Sequence, residues 1–310
     1  MSDAASENRA RDLADAPVRT VSARPSLRGR LSNLWQRREL LGQLIVSDIR
    51  VKYKGSALGL FWSMLAPAMN LAIYFLVFSV FLKNGIPNFV IYLFSGLIVW
   101  NMFFNAVIGS TTVVIARAGL VKKVSFPREI LALSTVGATV VYFFVQLAVL
   151  AVFLVLLGHQ PAWSYLPLLP VAFVTLYLLS AGVSVLMSGI TVYMRDMAHL
   201  IEVLLQLTFW LTPVVYSYEN TISPALARHG VSWLYFVNPM TPIVMTFQRI
   251  FYGATNAIST NTGQVLHVLP QWSLTHFWVV NLILLGIVGA FYLLVEYLFG
   301  RLEVNFESEL

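Results

Sequence analysis

The sequence predicts an all-α integral membrane protein with six membrane-spanning helices, and two observations lead to this fold class. Of the 310 residues, 58% are hydrophobic and 11% are charged, against roughly 25% charged residues in an ordinary soluble domain. The apolar residues are also gathered into six runs, each at least as long as the roughly 17 helical residues needed to cross a bilayer core of about 30 Å. We therefore expect spans that alternate with short loops.

The first 57 residues precede the apolar runs and divide into two parts. Residues 1–30 are rich in Ala, Ser, Arg and Asp without apolar periodicity, which predicts a disordered cytoplasmic tail. In residues 31–57, apolar side chains recur at helical spacing and charged side chains fill the other side, which predicts an amphipathic helix. Trp35 and the arginines suit a headgroup boundary, so we expect this helix to lie in the membrane interface. Packing on another protein surface is the alternative.

Residues 58–310 form the predicted transmembrane domain. Two of its runs contain a carboxylate, Glu202 and Glu296, and each carboxylate lies within a few residues of the end of its run. Because a charge at the membrane centre is costly, we expect both carboxylates to reach water. The predicted spans are residues 58–82, 88–112, 130–157, 166–191, 200–217 and 277–299.

Between the fifth and sixth spans, residues 231–252 contain two apolar pieces that are each too short to cross a membrane. Asn238 and Pro239 separate the two pieces. Proline stops the first piece, whereas Pro242 suits the first helical turn of the second. Apolar pieces of about 10 to 14 residues are often re-entrant, so the pattern predicts a re-entrant helical hairpin in the outer leaflet. A small external cap is the alternative.

The distribution of basic residues predicts the orientation of the chain. With the N-terminus inside, 17 of the 20 Lys and Arg residues fall on the cytoplasmic side, and the outside receives Lys83, Arg228 and Arg249. This asymmetry follows the positive-inside rule. We expect a multi-pass protein of the cytoplasmic (inner or plasma) membrane with both termini in the cytoplasm.

The sequence lacks the usual signatures of catalysis and of metal or nucleotide binding. It contains no Cys, its five His are scattered without ligand spacing, and no G-x-x-x-x-G-K-[S/T] phosphate-binding loop occurs. The basic residues are not gathered into one patch, which argues against nucleic acid as a partner. No span carries a charge near its centre, so coupling to a proton or sodium gradient is not expected. We predict no catalytic, cofactor-binding or metal site in this chain.

Neutral amides and aromatic side chains inside the predicted spans indicate a passage for sugars. Sugar rings offer apolar C–H faces to aromatic rings and hydroxyl edges to amides. A hydroxyl left unpaired in hydrocarbon costs about 4–8 kcal/mol, so a sugar chain needs a lined passage. Packing and membrane-interface belts are the alternative role of the aromatics. The predicted channel residues are Trp62, Tyr74, Asn101, Phe104, Tyr142, Phe209, Trp210, Tyr216 and Tyr218.

Four short stretches, taken in order, carry a family resemblance. They are residues 47–59 (SDIRVKYKGSALG), 125–129 (SFPRE), 193–196 (YMRD) leading to 213–216 (PVVY), and 238–242 (NPMTP). Placed on six spans, they resemble the permease subunits of type-2 ATP-binding cassette exporters of lipid-linked polysaccharides, which export O-antigen, capsule, teichoic acid and cell-wall galactan. The resemblance covers roughly residues 31–305.

The resemblance implies a homodimer of this chain, paired with two copies of a separate nucleotide-binding ATPase subunit that would bind ATP and Mg. It implies that the interfacial helix acts as a gate and that Asn238 and Pro239 break the re-entrant hairpin. By position, the residues that couple this chain to the ATPase are Val121, Lys122, Lys123, Ser125, Phe126, Pro127, Arg128, Glu129, Arg195 and Asp196. Arg128 and Glu129 are the predicted docking charges.

The resemblance also places five residues at the inner mouth, where the pyrophosphate of a polyprenyl-linked glycan would arrive. Basic side chains suit this place because a dianionic phosphate group gains charge-assisted hydrogen bonds from Lys and Arg. Anchoring to membrane lipids under the positive-inside rule is the alternative. The five residues are Trp35, Arg50, Lys52, Tyr53 and Lys54.

The sequence therefore predicts a transport subunit and no enzyme. It would form the channel of an exporter that moves a polyprenyl-pyrophosphate-linked polysaccharide across the cytoplasmic membrane, with energy supplied by ATP hydrolysis in the partner subunit. An exporter of drugs or small lipids with the same architecture is one alternative. A membrane-integral glycosyl or acyl transferase is another, and it would need acidic or histidine groups clustered at one interface. A structural scaffold, which would not need the hairpin, is the third.

Overall fold

The computed structural model describes residues 27–54, 62–123, 126–254, 256–258, 263 and 265–309. The first 26 residues of the predicted tail lie outside this part of the chain. Two helices come first, α1 (Leu27–Gln36) and α2 (Arg38–Tyr53). The predicted boundary at residue 30 therefore falls inside α1, and the amphipathic segment is divided into two helices at Arg37.

The rest of the described chain is almost entirely helical. Its helices are α3 (Trp62–Phe75), α4 (Phe89–Thr111), α5 (Val113–Ala116), α6 (Ala118–Lys123), α7 (Glu129–Leu156), α8 (Leu169–Tyr193), α9 (Met197–Trp210), α10 (Ser223–Arg228), α11 (Met240–Phe251), α12 (Leu274–Leu302) and α13 (Phe306–Glu309). A π-helix at Leu76–Phe81 continues α3, and another covers Tyr218–Ile222. Short 3-10 helices lie at Trp163–Leu168, Ser232–Val237 and Glu303–Asn305.

Helix α4 lies at the centre of the bundle and is buried along most of its length. It packs against α7, α8 and α11, and α8 packs along α12. A helix that is apolar on all sides is buried in a protein core or spans a membrane, and most of the surface of α4 is covered by neighbouring helices. One close approach depends on Gly96, where a Cβ atom would lie 3.0 Å from Nε2 of Gln248 on α11.

Four helical segments of the described chain are long and apolar enough to cross a membrane: Phe89–Thr111, Glu129–Leu156, Trp163–Tyr193 and Leu274–Leu302. They correspond to the second, third, fourth and sixth predicted spans. The first and fifth correspond to shorter apolar helices, Leu65–Phe81 and Met197–Trp210. Helix α9 ends at Trp210 because the chain turns before Pro213, which has no N–H to donate to a continuing helix.

The structure departs from an all-α fold at one place in its described part. Strands β1 (Asn256–Ile258) and β2 (Val265–His267) pair in antiparallel fashion, with Asn256 opposite His267. The hydroxyl of Ser217 donates to the main-chain oxygens of His267 and Val268, at 3.0 and 2.7 Å. These contacts join the β1–β2 pair to the turn after α9. Sequence periodicity missed these strands because three residues are too few for a recognisable alternation.

The break predicted at Asn238 and Pro239 separates the 3-10 helix Ser232–Val237 from α11. Oδ1 of Asn238 accepts a hydrogen bond from the Met240 main-chain N–H at 3.0 Å, and Nδ2 donates to Oγ1 of Thr212 at 2.9 Å. Asn238 therefore satisfies the first N–H of α11 and joins this helix to the turn after α9. Nearly every residue of α11 is buried.

Helix α2 packs against the N-terminal half of α7. Oδ1 of Asp48 accepts a hydrogen bond from Arg117, which lies between α5 and α6, and Oδ2 accepts one from Oγ of Ser134 at 3.0 Å. At Gly137 the two helices touch, because a Cβ atom there would lie 2.4 Å from Cδ1 of Ile45. Helix α2 is thus fixed to the bundle by charge and by close packing.

Gly137→Ala is expected to push α2 away from α7 and to lower the free energy of unfolding by about 1–3 kcal/mol, which is typical of overpacking. Thermal unfolding of the purified chain in detergent measures the effect. Adding Ile45→Ala is expected to restore part of the loss because it removes the atoms that the new methyl group meets. Gly286→Ala is the control, since a Cβ atom at Gly286 has nothing within 4 Å. Equal stability of Gly137→Ala and Gly286→Ala would contradict the prediction.

Candidate functional site

A cavity of about 200 Å³ lies between α3, α4 and α9. These helices correspond to the first, second and fifth predicted spans, so residues far apart in the sequence share one wall. None of the lining residues is charged. They are Asn70, Tyr74, Leu97, Trp100, Asn101, Phe104, Gln206 and Phe209.

Aromatic contacts hold the wall of the cavity in place. The rings of Tyr74 and Phe209 are stacked with their centroids 5.5 Å apart, and the Trp100 ring lies 5.3 Å from that of Phe209. Such pairs add about 0.5–1.5 kcal/mol beyond their burial. Nδ2 of Asn101 donates to Oε1 of Gln146 on α7 at 3.2 Å, which orients the Asn101 amide. The cavity offers aromatic faces, amides and one phenol, all neutral.

Four of the nine predicted channel residues line this cavity together: Tyr74, Asn101, Phe104 and Phe209. The other four lining residues are not among the nine: Asn70, Leu97, Trp100 and Gln206. Helical spacing points to Leu97 and Trp100, because Leu97, Trp100, Asn101 and Phe104 stand at i, i+3, i+4 and i+7 and therefore share one face of α4.

The other predicted channel residues lie elsewhere. Tyr216 donates to the main-chain oxygen of Trp210 at 2.7 Å, and its hydroxyl lies 2.8 Å from that of Tyr235. The ring of Tyr218 lies 5.0 Å from that of Tyr235. These residues form a second aromatic group at the turn after α9. Tyr142 lies under Lys52, and the side chain of Trp62 is outside the described part of the chain.

The predicted inner-mouth residues are mostly exposed. Trp35 is 72% exposed, and the guanidinium carbon of Arg38 lies 5.7 Å from the centre of its ring. Nζ of Lys52 lies 4.8 Å from the ring centre of Tyr142, so one inner-mouth residue touches one channel residue. Arg50 and Lys54 are also exposed, and the side chain of Tyr53 lies outside the described residues.

The predicted coupling residues divide into an exposed set and an inward set. Lys122 and Lys123 at the end of α6 are exposed, as are Arg195 and Asp196 between α8 and α9. Val121 is buried in the core, Phe126, Pro127 and Arg128 are half-buried, and Ser125 lies outside the described part of the chain. Nη1 of Arg128 donates to the main-chain oxygen of Glu303 at 3.0 Å.

Glu129 differs from the prediction. Its side chain is fully buried, and Oε2 accepts a hydrogen bond from Nη2 of Arg30 at 2.7 Å. A buried and paired carboxylate presents no charge to a partner, so a docking role for Glu129 does not fit this geometry. The expectation that Glu296 reaches water was also wrong, because its side chain is fully buried and lies 4.0 Å from Nε of Arg30.

Arg30 joins carboxylates at the end of the bundle where α7 begins and α12 ends. Its Nη1 lies 2.5 Å from Oε1 of Glu303, in addition to the contacts with Glu129 and Glu296. Burial acts to lower the pKa of Arg30, but the three carboxylates outweigh it, so the pKa lies above its usual range. Arg30 therefore stays charged. Within the described residues, no group of three or more His, Asp or Glu side chains is placed to hold a metal ion.

Residues 39–252 match the family model described as "ABC-2 type transporter", a range that runs from α2 to α11. The chain belongs to the ABC-2 type transporter family. Membership and the apolar helices together make it a multi-pass membrane protein. The matched range contains the cavity, Asp48 and Glu129. Arg30, Glu296 and Glu303 lie outside it.

This ABC-2 family chain also has curated relatives. It is 33% identical over 219 residues to the O-antigen export system permease protein RfbA of Myxococcus xanthus, an alignment that covers 71% of the chain and 82% of the relative. A protein of the same name from Klebsiella pneumoniae is 28% identical over 217 residues, with 70% of the chain and 82% of the relative covered.

Proposed function

We propose that this chain is the channel-forming permease subunit of an ATP-driven exporter that moves a polyprenyl-pyrophosphate-linked polysaccharide across the cytoplasmic membrane. The observation that carries the proposal is the cavity between α3, α4 and α9, with its aromatic faces and neutral amides. The names of the two relatives support the substrate class, since both are permeases of O-antigen export systems.

The lining suits a sugar for two physical reasons. The rings of Trp100 and Phe209 offer flat surfaces to the C–H faces of a pyranose. The amides of Asn70, Asn101 and Gln206 both donate and accept, so they can replace the water that hydroxyl groups lose. A charged lining would hold a passing sugar too strongly or demand a charged cargo. In the homodimer, a second copy of the chain supplies the opposite wall of the passage.

The membrane arrangement follows the same proposal. Six helices cross the bilayer, with α3 and its π-helical extension as the first and α9 as the fifth. The Ser232–Val237 helix and α11 form the re-entrant hairpin on the outer side. Both termini lie in the cytoplasm, where α1 and α2 rest at the interface as the gate. The exposed Arg50 and Lys54 then stand where an anionic pyrophosphate arrives.

Energy enters from two copies of a separate ATPase subunit, which bind ATP and Mg. Helix α6 and residues 126–128 contact this partner, together with Arg195 and Asp196. The exposed Lys122 and Lys123 supply docking charge in place of the buried Glu129. This segment leads from α4, through α5, to α7, so its movement is passed to both long helices.

Nucleotide-dependent transport tests the proposal. The chain is expressed with the ATPase encoded beside it, and inverted membrane vesicles are supplied with a polyprenyl-linked glycan and ATP. We expect the glycan to become protected inside the vesicles when ATP and both subunits are present. Transport by the chain without any ATPase, or no movement of glycan with ATPase and ATP present, would contradict the proposal.

Phe126→Ala is expected to lower transport about tenfold while ATP hydrolysis continues. Phe126 belongs to the cytoplasmic segment, defined as α6 with residues 126–128, and is half-buried against the core. A coupling of this size is common between distant sites. The measurements are glycan uptake and ATP hydrolysis by the same vesicles.

Phe81→Ala is the matched control, because Phe81 is 70% exposed and lies at the opposite end of α3 from the cytoplasm. Unchanged uptake by the Phe126→Ala chain would show that the segment is not the coupling element.

A further inference from the structure

One buried guanidinium meets three carboxylates from two separate parts of the chain. Arg30 is 5% exposed, although α1 begins only three residues before it. Its partners are Glu129 at the start of α7, Glu296 on α12 and Glu303 just after α12. The planar guanidinium has five N–H donors and can serve several carboxylates at once.

The surroundings of Arg30 are equally specific. Its guanidinium carbon lies 5.9 Å from the centre of the Phe299 ring, and that ring is fully buried. The main-chain oxygen of Glu303 accepts a hydrogen bond from Arg128, the residue before Glu129. Phe306 is fully buried against Phe299, with the ring centroids 5.6 Å apart. Residues 303–306, which follow α12, therefore fold back onto Arg128 at the end of the cytoplasmic segment.

We propose that Arg30 is a positioning residue that joins the cytoplasmic segment to both terminal parts of the chain, so that displacement of the segment also moves α1 and the end of α12. The proposal rests on the proposed function, since it assigns a route for the force that the ATPase applies. Three of the four charged residues lie outside the range that matches the family, so family membership does not imply the arrangement.

Glu129 stands at the junction between the cytoplasmic segment and α7. An ion pair at 2.7 Å between fully buried groups cannot separate without leaving a charge in a medium of low polarity. When the segment moves, Arg30 follows Glu129 and carries α1 with it. Through Glu303 and Phe299 the same guanidinium carries the end of α12.

Gly300→Ala is the sharpest test because it displaces Arg30 without changing any charge. A Cβ atom at Gly300 would lie 2.6 Å from Nη1 and 3.1 Å from Cζ of Arg30, and its three nearest atoms all belong to that side chain. Alanine also favours a helix more than glycine does, so α12 is expected to form normally. Gly289→Ala is the matched control on the same helix, since nothing lies within 4 Å of a Cβ atom there.

The first measurement compares transport with ATP hydrolysis in vesicles that contain the chain and its ATPase. We expect Gly300→Ala to lower glycan transport about tenfold while hydrolysis stays close to that of the unaltered complex, because the step lost is coupling between sites. We expect Gly289→Ala to change neither. Equal loss of transport and hydrolysis, or no loss of transport, would overturn the proposal. Glu303→Gln removes the negative charge of the carboxylate that lies 2.5 Å from Arg30, and this variant is expected to lower transport in the same way.

The second measurement needs no substrate and therefore separates this proposal from the proposed function. The chain contains no Cys, so spin labels can be attached to Arg28→Cys on α1 and Lys122→Cys on α6, both at exposed positions. In the full chain in lipid nanodiscs, we expect a narrow distribution of label distances that broadens with Gly300→Ala and not with Gly289→Ala. Identical distributions in the two variants would overturn the role of Arg30, whether or not the complex transports glycan.

Discussion

Arg30→Met is expected to lower the free energy of unfolding by about 3–5 kcal/mol, the usual cost of breaking a buried ion pair by removing one partner. Glu129 and Glu296 are both fully buried and would lose the cation that they share. Such a loss is a large part of the 5–15 kcal/mol that typically holds a protein folded. Thermal unfolding in detergent and the yield of monodisperse chain measure the effect.

Arg28→Met is the matched control for Arg30→Met, because Arg28 lies on the same helix and is exposed. Its stability is expected to equal that of the unaltered chain. Combining Arg30→Met with Glu129→Gln is expected to recover part of the loss, because it removes one of the uncompensated charges. If Arg30→Met and Arg28→Met unfold at the same temperature, the ion pairs of Arg30 do not hold this end of the bundle together.

Replacing both Asn70 and Gln206 with Leu is expected to lower glycan transport roughly a hundredfold. Each amide replaced by Leu leaves a sugar hydroxyl unpaired in the passage, which costs about 1–3 kcal/mol, and about 1.4 kcal/mol corresponds to a factor of ten in rate. Both side chains are exposed in the isolated chain and line the cavity from opposite helices, α3 and α9. The measurement is ATP-dependent glycan uptake by membrane vesicles at a fixed amount of assembled complex.

Thr208→Val is the matched control for the cavity, because it also removes a polar group from α9. The Thr208 hydroxyl donates to the main-chain oxygen of Leu204 at 2.8 Å and does not line the cavity. Its transport is expected to be unchanged. Full transport by the Asn70→Leu, Gln206→Leu chain would contradict the role of the amides, and the cavity would then be a packing feature.

Glu129 and Glu296 are both buried where the sequence predicts exposure, and the two differences have a common cause. Both carboxylates stand near the ends of apolar runs, and this position predicts that water or a partner protein is within reach. The structure instead places Arg30 between them, and Arg30 belongs to a stretch whose composition resembles a disordered tail. Composition averages over many residues, so it cannot reveal that one arginine is anchored inside the bundle.

The sequence by itself determined the features that depend on neighbouring residues. The apolar runs predicted the membrane helices, helical spacing predicted the amphipathic segment before them, and Asn238 with Pro239 predicted the break before α11. Each of these follows from local rules of hydrophobicity, helix periodicity and proline geometry. The length of α9 was overestimated because the apolar run continues through the turn at Pro213.

Only the tertiary structure decided which distant residues meet. Asn70, Asn101 and Gln206 come from three helices, and it is helix packing that turns them toward one cavity. Arg30 meets Glu129 across 99 positions and Glu303 across 273. The sequence fixes which faces of a helix are apolar, but in a chain that is apolar on nearly every face this leaves the partners of each helix open. Close contacts at Gly137 and Gly300, together with the buried charges, decide which helices pair, because hydrophobicity alone does not distinguish between them.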